Sequence, residues 1–221
     1  QAPATCTSGT CGNVCNTNWG DCDNNMLDGC EYNLLTNNSH CGACGNACTG
    51  GQTCENGTCV SPPPAATLRA QYKTITTSST TQNIRAHLKI YNDDNQTFAL
   101  TDIKIRYWFT SEPGGSDVFQ LDWAAVGNVS RTFGGSGSGR YVEIGFYSSS
   151  AIPSWVCGSG ASNQIAAGCN TGEIQANIYD SSWGWFTQTN DYSFSSSRTS
   201  YANWTKVTVY YQGQLVWGTE P

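Results

Sequence analysis

Lysine and arginine are missing from the first sixty residues, although the 221-residue chain carries ten of them. A surface without cations cannot neutralise phosphates, so this stretch is excluded as a nucleic-acid clamp. Histidine is almost absent: His40 and His87 are the two in the chain, and neither stands near a serine-elbow pattern, which leaves Ser-His chemistry without a base. No apolar run approaches the ~20 residues that a membrane helix needs. The opening Gln1-Ala2-Pro3 has neither the basic start nor the apolar stretch of a signal peptide, so a mature, soluble and unanchored form is expected. Convincing helical spacing of apolar residues is lacking as well.

Cysteine, by contrast, is concentrated. Ten of the twelve cysteines fall between Cys6 and Cys59, alongside Asp21, Asp23, Asp28, Glu31 and Glu55, and large apolar residues there are few: Trp19, Met26, Leu27, Tyr32, Leu34 and Leu35. So small a core has to be stapled covalently, and an even, dense cysteine set is the pattern of an oxidising compartment. Five disulfides and an exported protein are therefore expected. Cys41-Gly42-Ala43-Cys44 also has zinc-ligand spacing, a weaker alternative. Asp21-Cys22-Asp23-Asn24-Asn25 with Asp28-Gly29 and Glu31 superficially resembles a calcium loop but lacks the full twelve-residue pattern.

Ser61-Pro62-Pro63-Pro64-Ala65-Ala66 marks a boundary, because consecutive prolines stay extended and join neither helix nor sheet interior. The organisation read from this is a cysteine-rich module over 1–60, a linker over 61–66 and a second domain over 67–221. From Ala65 on, all ten Lys and Arg face eleven Asp and Glu, and the whole chain carries a formal charge of −6, which favours solubility and names no partner. Short runs alternate apolar and polar residues at His87 to Tyr91, Ile103 to Phe109, Tyr141 to Phe146, Ile174 to Ile178 and Val207 to Tyr211. Turn signals at Asn92-Asp93-Asp94, Pro113-Gly114-Gly115, Gly134-Gly135-Ser136-Gly137 and Gln212-Gly213 separate them, the last predicting a tight hairpin. Many short strands with Gly-rich turns predict an all-β sandwich or barrel. Trp108, Trp204 and Trp217 lie in strand-like runs and are expected in its core.

Four stretches of the second domain carry a resemblance: Asp122-Trp123-Ala124-Ala125, Ile105-Arg106-Tyr107-Trp108-Phe109-Thr110, Thr187-Gln188-Thr189-Asn190-Asp191-Tyr192-Ser193-Phe194 and Leu215-Val216-Trp217-Gly218-Thr219-Glu220-Pro221. Their composition and spacing resemble the family 3 carbohydrate-binding modules from about Thr67 to Pro221. The resemblance implies a nine-stranded jelly-roll sandwich, a bound calcium ion and a flat face for crystalline cellulose. Gly20-Asp21-Cys22-Asp23, Gly29-Cys30-Glu31 and Cys41 to Cys48 are similar to cysteine-rich segments of exported myxobacterial proteins, which implies location and little more.

Within this resemblance the binding strip is expected to be Asp122, Trp123, Arg131, Asn177 and Trp183, with Asn177 where the family places Arg and Arg131 where many members place Tyr. Trp183 and Trp185 stand in the polar, Gly-containing segment Asp180 to Trp185, where loops face solvent, and Trp185 is a further candidate contact. Thr76, Gln82 and Gln175 match polar anchor positions. Calcium takes six to eight oxygen ligands, and the matching positions are Thr110, Glu112, Thr187, Asn190 and Asp191, with Glu112 where Asp is usual. Cys157 and Cys169 bracket an insertion and are expected to close a loop; Trp155 beside it can lie under that loop or face solvent.

The expected function is non-catalytic binding of crystalline cellulose for an attached or associated wall-degrading system. The alternatives are a helper module gripping single glucan chains or xyloglucan, and an adhesion or scaffold protein whose cysteine-rich module contacts a protein partner. No acidic pair is marked by spacing or motif as the two carboxylates of a glycosidase, and the chain lacks the N-terminal His usual in copper oxidases of polysaccharides.

Overall fold

The computed structural model describes residues 5–7, 10–12, 15–23, 25, 29–60, 66–112, 114–158 and 162–221, the first two segments by backbone pairing alone. Asn24, Met26, Leu27, Asp28, most of the Pro-rich stretch and the side chains of Cys6 and Cys11 thus lie outside it. The chain divides into two compact units, Gln1–Pro64 and Ala65–Pro221. Among the described residues no helix is long and apolar enough to cross a membrane.

The first unit is held by Cys15–Cys30, Cys22–Cys44, Cys41–Cys54 and Cys48–Cys59. Both members of the Cys41/Cys44 pair are consumed in this way, which removes the zinc alternative. Cys30 and Cys41 have no exposed surface, so sulfur takes the place that aliphatic side chains fill in a larger core. Gly20 belongs to that arrangement: a Cβ there would meet the sulfurs of Cys44 at 2.9 Å and Cys22 at 3.0 Å. Loops of 11 to 22 residues close on these bridges, and each closure of this size removes about 3 kcal/mol of unfolded-chain freedom.

The second unit is an antiparallel β-sandwich. Its strands are β1 (Leu68–Thr74), β2 (Asn83–Asn92), β3 (Ile103–Phe109), β4 (Asp117–Ala124), β5 (Val129–Gly134), β6 (Arg140–Phe146), β7 (Ile174–Asp180), β8 (Ala202–Asn203), β9 (Val207–Tyr211) and β10 (Gln214–Trp217). One sheet has the order β4-β7-β2-β1-β8 and the other β5-β6-β3-β9-β10. Outside these two sheets Thr80–Thr81 pairs with Phe186–Thr187 and Phe98–Ala99 with Gln164–Ile165.

Alternation places the core. Ile84, Ala86, Leu88 and Ile90 of β2, Ile174, Ala176 and Ile178 of β7, and Ile103, Ile105, Tyr107 and Phe109 of β3 all turn inward. The predicted Gln212-Gly213 hairpin joins β9 to β10, with positive φ at both residues, 49° and 82°, as a two-residue turn between twisted strands demands. Trp108 departs from expectation. It is 6% exposed but, between Tyr107 and Phe109, it points to the outer face, buried there edge-on to Tyr141 while its Nε1 donates to Thr208 Oγ1 at 2.9 Å. Trp204 and Trp217 are only half-buried, packed against the rim of the core.

Phe109 ties its own sheet to the segment after β7, meeting Phe133 of β5 at 6.2 Å and Phe186 at 6.0 Å, both edge-to-face, with no exposed surface of its own. Phe109→Ala is expected to cost about 3 to 5 kcal/mol, read as a lower urea midpoint with an unchanged slope.

Candidate functional site

The outer face of the β4-β7-β2-β1-β8 sheet is where the polar half of the alternation gathers, and its cross-strand register sets the neighbours. Gln120, Asn177 and Arg85 form one row across β4, β7 and β2, and Trp123, Gln175, His87 and Lys73 form the next. Strict alternation would put Asp122 and Trp123 on opposite faces. A break in register between Leu121 and Trp123 prevents this: Asp122 keeps the outward parity of Gln120, and Trp123 is carried onto the same face, opposite Gln175.

Asp122 is the hub of the face. Its carboxylate accepts hydrogen bonds from Arg85 Nη2 at 2.9 Å, Gln120 Nε2 at 2.9 Å and Asn177 Nδ2 at 3.3 Å. Burial alone would raise its pKa, but the hydrogen bonds from Arg85, Asn177 and Gln120 outweigh burial and hold the carboxyl below its usual value. The cation expected at position 177 is thus supplied across the sheet by Arg85.

Trp183 lies in the turn that follows β7, beside Tyr179. Asp180 builds its turn, accepting from the Ser182 hydroxyl and, at 2.8 Å, from the Ser182 amide, while the Trp183 amide donates to the Asp180 carbonyl at 2.8 Å. Trp183 sits at φ 59°, a left-handed conformation that is costly for a bulky residue. Two contacts hold it there: its ring stacks on Tyr179 at 5.0 Å and 13°, and Gln82 Nε2 donates to its carbonyl at 2.8 Å. The result is an indole held flat on a tyrosine and 57% exposed, with Trp123 44% exposed on the same sheet.

Not every expected residue joins this face. Arg131 is exposed on β5, the edge strand of the opposite sheet, beside Phe119 and Leu121. Thr76 lies after β1, its carbonyl accepting from Gln188 Nε2 at 3.2 Å. Gln175 faces Trp123 and donates to Glu173 at 3.0 Å. Trp185 is 63% exposed and makes no ring contact among the described residues. Sequence reasoning passed over Arg85 and Tyr179; both have the right parity in β2 and β7, but only the register reveals their partners.

The five oxygen-bearing loop residues do converge. Asp191 Oδ1 accepts the Thr110 amide at 2.7 Å, Thr110 Oγ1 donates to the Asn190 carbonyl at 2.9 Å, and Glu112 Oε1 accepts the Thr187 amide at 3.1 Å. Asp191 Oδ2 is buried without a hydrogen donor. Burial, with the Glu112 charge adding to it against the Thr110 hydrogen bond, pushes the Asp191 carboxyl up to about 7. A buried carboxylate oxygen short of a donor beside a second carboxylate suits a hard divalent cation.

Residues 69–218 match the family described as the cellulose binding domain. The chain belongs to this family. Among curated relatives it is 36% identical over 165 residues to endoglucanase A of Paenibacillus lautus, covering 72% of this chain and 22% of that protein. A xyloglucanase of a Paenibacillus species is 36% identical over 167 residues, covering 72% of this chain and 15% of that protein. The chain therefore spans under a quarter of either relative. Among solved structures it is similar to the carbohydrate-binding module CBM3b of cellobiohydrolase 9A from Clostridium thermocellum, with TM-score 0.61, 34% identity, and coverage of 70% of this chain and 97% of that one.

His87 borders this face at 6% exposure, its Nδ1 2.6 Å from Glu173 Oε1. Burial lowers its pKa below 6.5, and the hydrogen bond to Glu173 opposes this without reversing it. The unfolded chain then holds the proton to higher pH than the folded one, so this group contributes stability that rises with pH between the lowered value and 6.5. An NMR titration of the His87 ring should show its midpoint below 6.5.

Proposed function

We propose that this domain binds crystalline cellulose without catalysis, through the outer face of the β4-β7-β2-β1-β8 sheet, for an attached or associated wall-degrading system outside the cell. The observation that carries the reading is the pair of exposed indoles, Trp123 and Trp183, on one sheet face with the Asp122–Arg85 ion pair between their rows. Sugar rings offer apolar C–H faces flanked by in-plane hydroxyls. An indole covers the first, and a carboxylate, guanidinium and amide meet the second. Each ring face covering roughly 50 to 100 Å² contributes about 1 to 2.5 kcal/mol. Two or three rings with a few hydrogen bonds of about 1 kcal/mol correspond to a dissociation constant on the order of micromolar. The face is held by sheet register before any ligand arrives, so little ordering entropy opposes binding. The disulfides of the first unit support export, and that unit is left for a protein partner or a protective cap.

Calcium is the second part of the proposal. Thr110, Glu112, Thr187, Asn190 and Asp191 would hold it, and its charge would relieve the crowding of the Asp191 and Glu112 carboxylates. Its role is to tie the segment after β3 to the segment that follows Trp183.

Two results follow. Depletion by microcrystalline cellulose should fall about tenfold or more in Trp183→Ala and in Trp123→Ala, and a wild-type protein that stays in solution with crystalline and amorphous cellulose alike would refute the reading. Chelation should lower the melting temperature of wild type by several degrees and leave Asp191→Asn unmoved; equal melting with and without calcium would exclude the metal.

A further inference from the structure

The aromatic row continues past Trp123. Between β6 and β7 the chain makes a one-turn helix, Ser154–Cys157, and the Cys157–Cys169 disulfide ties its end to the approach to β7. Val156 and Cys157 turn inward and pack against the core. Gly172 receives Val156: a Cβ at this position, where φ is 71°, would lie 3.1 Å from a Val156 methyl and 2.4 Å from Ala125 Cβ. With its neighbours anchored inward, Trp155 is driven outward to 69% exposure, the highest among the exposed large apolar residues. Its ring stands 6.2 Å from Trp123 at an angle of 29°.

An indole this exposed, on a turn held by a disulfide and a glycine contact, is a poor way to build a core and a good way to present a ring. The groove between the two indoles is floored by Gly172 and edged by Lys89, Asn170 and Glu173. Burial favours the neutral form of Glu173, but hydrogen bonds from Gln175 and His87, with Lys73 nearby, outweigh it and keep the carboxyl below its usual pKa. The groove thus combines an aromatic face with an anion, a cation and an amide at its edge, the set that a pyranose ring with equatorial hydroxyls satisfies. The 29° tilt decides what kind of chain fits. A chain lying flat on Trp123 must twist to lie flat on Trp155. A free chain can twist, whereas one locked in a crystal face cannot.

We propose that Trp155, with Lys89, Asn170 and Glu173, forms an additional subsite that takes the sugar ring of a single β-1,4-glucan chain next to the ring on Trp123. This rests on the reading of the sheet face as a glucan-binding strip. The insertion closed by Cys157–Cys169 gives the domain a grip on loose chains in addition to its grip on crystal surfaces.

The test compares the full chain with Trp155→Ala, Trp155→Phe and Trp183→Ala, using calorimetry with cellohexaose and depletion by microcrystalline cellulose. Trp155→Ala should weaken cellohexaose binding about tenfold, Trp155→Phe should restore part of it, and depletion by microcrystalline cellulose should change less than about twofold. Trp155 packs little, so its variants should melt with wild type. Unchanged cellohexaose binding in Trp155→Ala overturns the subsite. So does an equal loss on cellohexaose and on the crystal, which would make Trp155 part of the flat strip. A wild type that binds microcrystalline cellulose, loses that binding in Trp183→Ala and ignores cellohexaose removes the subsite and leaves the strip. Binding to neither ligand removes both.

Discussion

The irregularity at Asp122 is the constraint on which the face depends. A strand alternates its side chains between core and solvent, so adjacent residues cannot both serve one surface unless the register slips. Asp122 keeps the outward parity of Gln120, and the slip between Leu121 and Trp123 carries Trp123 onto the same outer face, in the next row. Once Asp122 is there, Arg85 and Asn177 on the neighbouring strands have a partner, and the rows of the sheet acquire a charged centre with aromatic ends. The Arg85–Asp122 pair is partly exposed, with side-chain exposures of 42% and 15%. Its worth to stability is small, within the ~0 to 1 kcal/mol of surface pairs; its effect is to orient a carboxylate and a guanidinium.

The two units solve one problem in opposite ways. The sandwich buries two sheet faces of aliphatic and aromatic side chains, and its Cys157–Cys169 disulfide packs against the edge of that core, tying the segment before β7. The first unit has too few apolar residues for a core and closes its loops with sulfur instead. Its five acidic residues, with no Lys or Arg in the same sixty residues, give it a formal charge of one sign. A net charge of that sign disfavours polyanions.

Trp183 and the loop oxygen cluster are linked by chain connectivity. Trp183 is strained at φ 59°, and the segment leading from it runs directly into Thr187, Asn190 and Asp191. Tying that segment to Thr110 and Glu112 limits how far the Trp183 loop can relax. Backbone strain persists only where the surroundings over-determine it, and here the contacts of Tyr179, Gln82 and Asp180 do so.

What the sequence determined alone was whatever depends on local pattern. Two-residue alternation marked the strands, Gln212-Gly213 marked the hairpin, cysteine density marked the stapled unit, and loop composition marked Trp183 as exposed. Trp108 shows the limit of that logic, since strand residues can be buried on either face and pattern alone cannot tell a core position from one covered by Tyr141. Arg85 and Tyr179 show another, because a cross-strand partner is fixed by register, and register is a property of the pairing of distant segments. The tertiary structure alone decided that Asp122 finds its cation on β2 rather than at position 177, that Arg131 lies on the opposite sheet, and that Trp155 stands outside its loop. The physical reason is common to all three. A side chain's direction follows from local backbone, but its neighbours follow from which strands pair and where one of them slips.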